Sequence, residues 1–116
     1  MKIFAPILLL FLCSCGVTHK AVLTVEKNSG HKIKNISVEL SNQKRNKPTL
    51  KASDNTYEFS FTNYSDDHFI LNIEFSSGYS AGMSFGYITH SMSFSEKVVL
   101  NGKEASSWVH TSPVSD

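Results

Sequence analysis

Residues 56–75, TYEFSFTNYSDDHFILNIEF, decide the fold class. Tyr57, Phe59 and Phe61 recur at every second position, and so do Phe69, Leu71, Ile73 and Phe75. A pleated strand turns alternate side chains to opposite faces, so each row forms one apolar face of a strand; a helix would need its apolar residues three and four apart. Between the rows, 63–67 reads NYSDD, in which Asn63, Ser65, Asp66 and Asp67 have short polar side chains that favour turns. The expectation is two strands, 56–62 and 68–75, joined as a hairpin through the loop 63–67.

The same period extends outward in both directions. Upstream, 21–26 (AVLTVE) is closed by Asn28-Ser29-Gly30, and in 33–40 Ile36, Val38 and Leu40 share one face while Ser37 and Glu39 take the other. A basic loop, 41–47, leads to Pro48 and a short segment around Leu50, with a turn at Asp54-Asn55. Downstream, 79–96 holds one strand or two. Val98-Val99-Leu100 and Lys103-Glu104-Ala105 flank Asn101-Gly102, the residue pair that favours a two-residue type I′ hairpin. After Lys20 no segment carries a sustained helical stripe. The chain of 116 residues is therefore expected to hold one all-β domain, 21–110, with a tail at 111–116. The expected fold is a small antiparallel β-sandwich of seven to eight strands, with a small barrel as the alternative. The run 30–40, GHKIKNISVEL, is similar to the opening of prealbumin-like and carboxypeptidase-regulatory-like sandwiches, which implies a sandwich and carries no function with it.

The N-terminus has a different character. Met1-Lys2 is followed by an apolar run, 3–12, too short to cross a bilayer of about 30 Å as a helix. Both cysteines lie at its end, in Leu12-Cys13-Ser14-Cys15. A CxC pair with no further cysteine lacks the partners of a metal or redox site. The tetrad resembles the lipobox of bacterial lipoproteins, with Leu12 three residues before Cys15 and small Ser14 just before it. That resemblance implies a signal peptide over 1–14, acylation of Cys15 as a thioether and a tether over 15–20, with the lipid bilayer as first partner. Gly16, rather than an aspartate, implies sorting to the outer membrane and a periplasmic or surface location. From Gly16 to Lys20 the chain reaches at most roughly 17 Å, so the domain would sit close to the headgroups.

Chemistry-bearing residues are sparse. In 78–87, GYSAGMSFGY, glycine and serine alternate with Tyr, Ala, Met and Phe, so a strand here has one apolar face and one nearly bare of side chains. Gly78, Gly82 and Gly86 are accordingly expected to floor a groove or edge that accepts a partner; the alternative is a bent strand covered by Trp108. Histidines 19, 31, 68, 90 and 110 show no ligand spacing. Asp66-Asp67-His68 is expected to be a solvated turn, with ligation of a cation together with His90 as the alternative. Residues 20–51 hold eight basic residues against two acidic ones, whereas 52–116 hold two against eight. Lys44, Arg45 and Lys47 form a basic tip suited to an anionic surface or an acidic protein. Nucleic acid is not expected as a partner outside the cytoplasm.

The expectation for function is a non-enzymatic, cofactor-free lipoprotein that docks an envelope or exported protein. Two alternatives stand beside it. One is an inhibitor, immunity or exclusion lipoprotein acting on an incoming enzyme or phage; Gly78-Tyr79-Ser80 and 101–105 resemble loops of lysozyme-inhibiting lipoproteins, whose cysteines are not matched. The other is a metal-binding or hydrolytic protein using Asp66, His68 and His90.

Overall fold

The computed structural model describes residues 19–89 and 92–111. The expected signal peptide over 1–14, Cys15 and most of the expected tether, His90, Ser91 and residues 112–116 therefore lie outside the described residues. Eight strands follow in order: β1 (Lys20–Lys27), β2 (Ile33–Leu40), β3 (Thr49–Ser53), β4 (Thr56–Thr62), β5 (Asp67–Phe75), β6 (Ser80–Ile88), β7 (Phe94–Leu100) and β8 (Trp108–Thr111). A single 3₁₀ turn, Ala105–Ser107, precedes β8. The strands form two sheets, a five-stranded one in the order β3-β4-β1-β7-β8 and a three-stranded one in the order β2-β5-β6. This is the all-β, two-sheet architecture that the alternation implies.

The apolar rows face one another across the two sheets. Ala21, Leu23 and Val25 of β1 are fully buried, as are Phe61, Val98 and Leu100 beside them and Phe69 and Leu71 opposite. Phe61 and Phe69 meet with ring centroids 6.1 Å apart. Each of the buried Leu, Val and Phe side chains contributes about 1.5–3 kcal/mol through burial, and no cysteine occurs between residues 19 and 111 to supplement it.

Three local expectations are corrected. Strands 56–62 and 68–75 exist, but β4 belongs to the larger sheet and β5 to the smaller, so the segment between them crosses the sandwich instead of closing a hairpin. Alternation requires each row to be buried, and a face-to-face arrangement satisfies this as well as a side-by-side one. The Asn101-Gly102 turn also differs: Leu100 pairs with Trp108 across a loop spanning 101–107. Paired residues share a face, so a two-residue turn would have set Lys103 against Leu100 and driven a lysine into the core. The longer loop instead buries Trp108, whose indole Nε1–H donates to the Gly102 carbonyl at 2.9 Å. Finally, the sandwich is not wholly antiparallel, because β1 runs antiparallel to β4 but parallel to β7.

Two hairpins are made where turn chemistry allows. Ser53 pairs with Thr56 around Asp54-Asn55. Between β5 and β6, Gly78 N–H donates to the Phe75 carbonyl (2.9 Å) and Phe75 N–H to that of Tyr79 (2.8 Å), with Gly78 at φ +95°. This is a three-residue loop with glycine at its left-handed position.

Candidate functional site

Five strands against three leave one side of the sandwich incomplete. At that side β2 and β3 are each the terminal strand of their sheet. Leu50 of β3 is in register with buried Phe59 and so lies on the interior face, yet it is 49% exposed because no strand of the smaller sheet covers it. A cleft of about 320 Å³ opens there, walled by Ile36, Val38, Pro48, Leu50 and Phe59.

Lys47 and Glu39 also line this cleft, with Arg45 in the same loop as Lys47. The neighbouring lysines face carboxylates: Lys44 engages Glu39 at 2.8 Å, Lys34 lies 3.9 Å from Glu74, and Lys51 is in cross-strand register with Glu58. The loop bearing Lys44, Arg45 and Lys47 is held from below. Asp67 is buried, and its carboxylate accepts from Asn42 N–H (3.0 and 3.1 Å), from Gln43 Nε2 (2.9 Å) and from the N–H of His68 (2.8 Å). Asn46 Nδ2 donates to the Thr62 carbonyl at 2.8 Å. The expected solvated turn at Asp66-Asp67-His68 is thus corrected at its centre: Asp67 is a buried anchor whose hydrogen bonds fix the basic tip. Asp66 stays exposed and accepts from the Tyr87 hydroxyl at 3.3 Å. Among the described residues no group of three or more His, Cys, Asp or Glu side chains is placed to hold a metal ion. His90, the remaining member of that expected set, is outside them.

The glycines of 78–87 divide by role. Gly78 makes the β5–β6 turn, and Gly86, at φ +77°, makes a bulge. Phe85 pairs with Phe69 and Ile88 with Asp67, so three steps on β6 match two on β5 and Ile88 turns inward. Gly82 alone is bare for no conformational reason. It lies in an open depression of about 390 Å³ on the outer face of the smaller sheet, beside Asn72, Asn35, Ser37 and Ser80. Trp108 does not cover these glycines; its indole lies against Gly102.

No family model, curated protein or solved structure matches this chain.

One group escaped the sequence reading. Glu96 sits on the inward row of β7, buried, with its carboxylate 2.7 Å from His110 Nε2 of β8. The His110 ring lies 4.6 Å from that of Phe85. The signal was present: Glu96 has the parity of Val98 and Leu100, and a lone acid in a buried row requires a partner.

Proposed function

We propose that the protein is a lipid-anchored, non-enzymatic docking module of the cell envelope, held through acylated Cys15 and binding an envelope or exported protein through its β-sandwich. The observation that supports docking is the open side, where two terminal strands flank an apolar cleft containing half-exposed Leu50. Soluble domains usually guard such edges; β2 is guarded at its start by a bulge between Ile33 and Asn35 beside Lys34, but a regular stretch such as Ile36–Leu40 next to uncovered apolar surface is a template for strand addition. The anchor rests on the Leu12-Cys13-Ser14-Cys15 tetrad, and outer-membrane sorting on Gly16. Two acyl chains attach a protein stably where one does not, since each buried methylene contributes about 0.8 kcal/mol.

The anchor is tested by fractionation: wild-type protein is expected in the membrane fraction with labelled palmitate, and Cys15→Ser protein without label and released by a salt wash. Retention of the serine variant in the membrane fraction after removal of residues 1–14 would defeat the anchor. Docking is tested by capture from detergent-solubilised envelope with the lipidated chain as bait; recovery of no protein above a blank bait would defeat the docking role.

A further inference from the structure

The strand registers define two ends of the sandwich. Lys20, at the start of β1, pairs with Thr62 at the end of β4, Ala21 with Phe94 at the start of β7, and Thr49 at the start of β3 with Ser60. In the smaller sheet Leu40, at the end of β2, pairs with Phe69, and Ile88, at the end of β6, with Asp67. The β2–β3, β4–β5 and β6–β7 connections therefore all cross between the sheets at the end where the chain enters β1. Asn63 fastens them to that entry: its N–H donates to the His19 carbonyl at 2.9 Å, and its Nδ2 donates to the carbonyls of Thr89 and Met92. Exposed apolar side chains collect here. Tyr64 is 70% exposed, Tyr87 67% and Met92 52%, the three highest values among the large hydrophobic residues described. Tyr64 follows Asn63, the Met92 carbonyl accepts from Asn63, and the Tyr87 hydroxyl donates to Asp66, so all three surround the entry point. Charge is nearly balanced: Lys20, Lys44, Arg45 and Lys47 stand with Glu39, Asp66 and Asp67, of which Glu39 is taken by Lys44 and Asp67 is buried.

We propose that this end of the sandwich seats directly on the lipid bilayer that holds Cys15, with Tyr64, Tyr87 and Met92 at the level of the headgroups. The length of the tether selects a lipid surface over a protein. From Gly16 to Lys20 the chain reaches at most roughly 17 Å, less than the roughly 30 Å diameter of a small domain, so no folded partner fits between the acylated cysteine and this end. The side chains suit the interface. Tyrosine has an apolar ring and a polar tip, and gathers where membrane meets water. Exposed Arg45 and Lys47 can lay their stems on apolar surface and turn their charges to lipid phosphates. Tyr79, in the β5–β6 turn, belongs to the opposite end and would point away from the bilayer. This inference rests on the lipid anchor proposed above and names the face which that anchor presses to the membrane.

The test replaces Tyr64, Tyr87 and Tyr79, one at a time, by a benzophenone-bearing phenylalanine in the full lipidated chain in its native host. The expected result is a photocrosslink to lipid from positions 64 and 87, at least tenfold above that from 79. A second arm places the benzophenone at Arg45 and adds Tyr64→Ser, Tyr87→Ser and Met92→Ser. This variant should keep its palmitate label and its urea midpoint, yet lose at least fivefold of the lipid crosslink from position 45. Crosslinking from 64 and 87 to a protein or to nothing overturns the proposal, as does an equal lipid yield from 79 or an undiminished yield from 45 in the serine variant. Failure of the anchor shows separately, as wild-type protein that carries no palmitate, and the seat then falls with it. Labelled protein in the membrane fraction without a lipid crosslink from 64 leaves the anchor standing and removes only the seat.

Discussion

Asp67 shows how much a single buried carboxylate organises here. Without it the Asn42 N–H and the Gln43 amide lose their acceptor, and hydrogen bonds to a charged group are each worth about 1.5–3 kcal/mol. Asp67→Ala is expected to lower the unfolding free energy by about 2–3 kcal/mol in urea titration and to speed amide exchange across 41–47. Asn63 has a similar part on the other side of the crossing loop. Its Nδ2 donates to the carbonyls of Thr89 (2.9 Å) and Met92 (2.8 Å), which fixes the orientation of the amide. Glu96 and His110 form a third polar unit, and residues in such direct contact couple by about 0.5–3 kcal/mol. A double-mutant cycle with Glu96→Gln and His110→Phe should give a coupling within that range; strictly additive effects would show that the pair contributes nothing. These three residues lie in stretches whose polarity reads as loop or as surface. For Asp67 and Asn63 the partners lie far along the chain, at Asn42 and Thr89, so nothing local marked them, whereas the parity of Glu96 with Val98 and Leu100 did carry a signal and only its partner, His110, was not legible.

Among the elements, β6 separates glycines that serve the backbone from one that does not. Gly86 holds φ +77°, and a Cβ there would also approach the Phe69 ring at 3.4 Å, so Gly86→Ala is expected to cost about 1–2 kcal/mol in thermal or urea unfolding. Gly82 is the contrasting case. A Cβ at that site would meet the Asn72 Oδ1 at 2.7 Å, the movable end of an exposed side chain, and β-branched residues suit an exposed strand face. Gly82→Val should therefore keep the unfolding free energy from urea titration within about 0.5 kcal/mol of wild type, as expected of a surface site, while filling the depression. Unchanged envelope capture by this variant would show that the bare face takes no part in docking. Strand existence was legible for β1, β2, β4 and β5, where period-two alternation reports one buried face; β3, exposed along its length, showed only as a short segment around Leu50, and β8 did not show at all, its place being expected at 103–105. Strand partnership was not, since the rows of β4 and β5 are equally satisfied beside or across from each other. The Asn-Gly turn was legible as a local preference but lost to the burial of Trp108, a choice that the parity of Lys103 already carried.

At the scale of the whole molecule, packing and backbone hydrogen bonds hold the sandwich, and the charge asymmetry noted in the sequence becomes local. The basic first half supplies β2 and β3 and the acidic second half supplies their neighbours β5 and β4, so Lys34 lies 3.9 Å from Glu74 and Lys51 stands in register with Glu58, and the contrast along the chain is largely interleaved in space. With both cysteines upstream of residue 19, the urea transition of the intact chain is expected to be the same with and without dithiothreitol; a shift on reduction would reveal a thiol linkage at the N-terminus that supports the fold. The place of β1 bears on the timing of synthesis. It is the first strand made, yet it is central in its sheet, and its parallel neighbour β7 begins only at Phe94. At about 5–20 residues per second the ribosome needs roughly 4–15 s to supply that neighbour. Through that interval the leading segment has no completed sheet to join. A chain threaded N-terminus first through a narrow channel would thus pass in extended form and close its larger sheet only after nearly all of it had crossed.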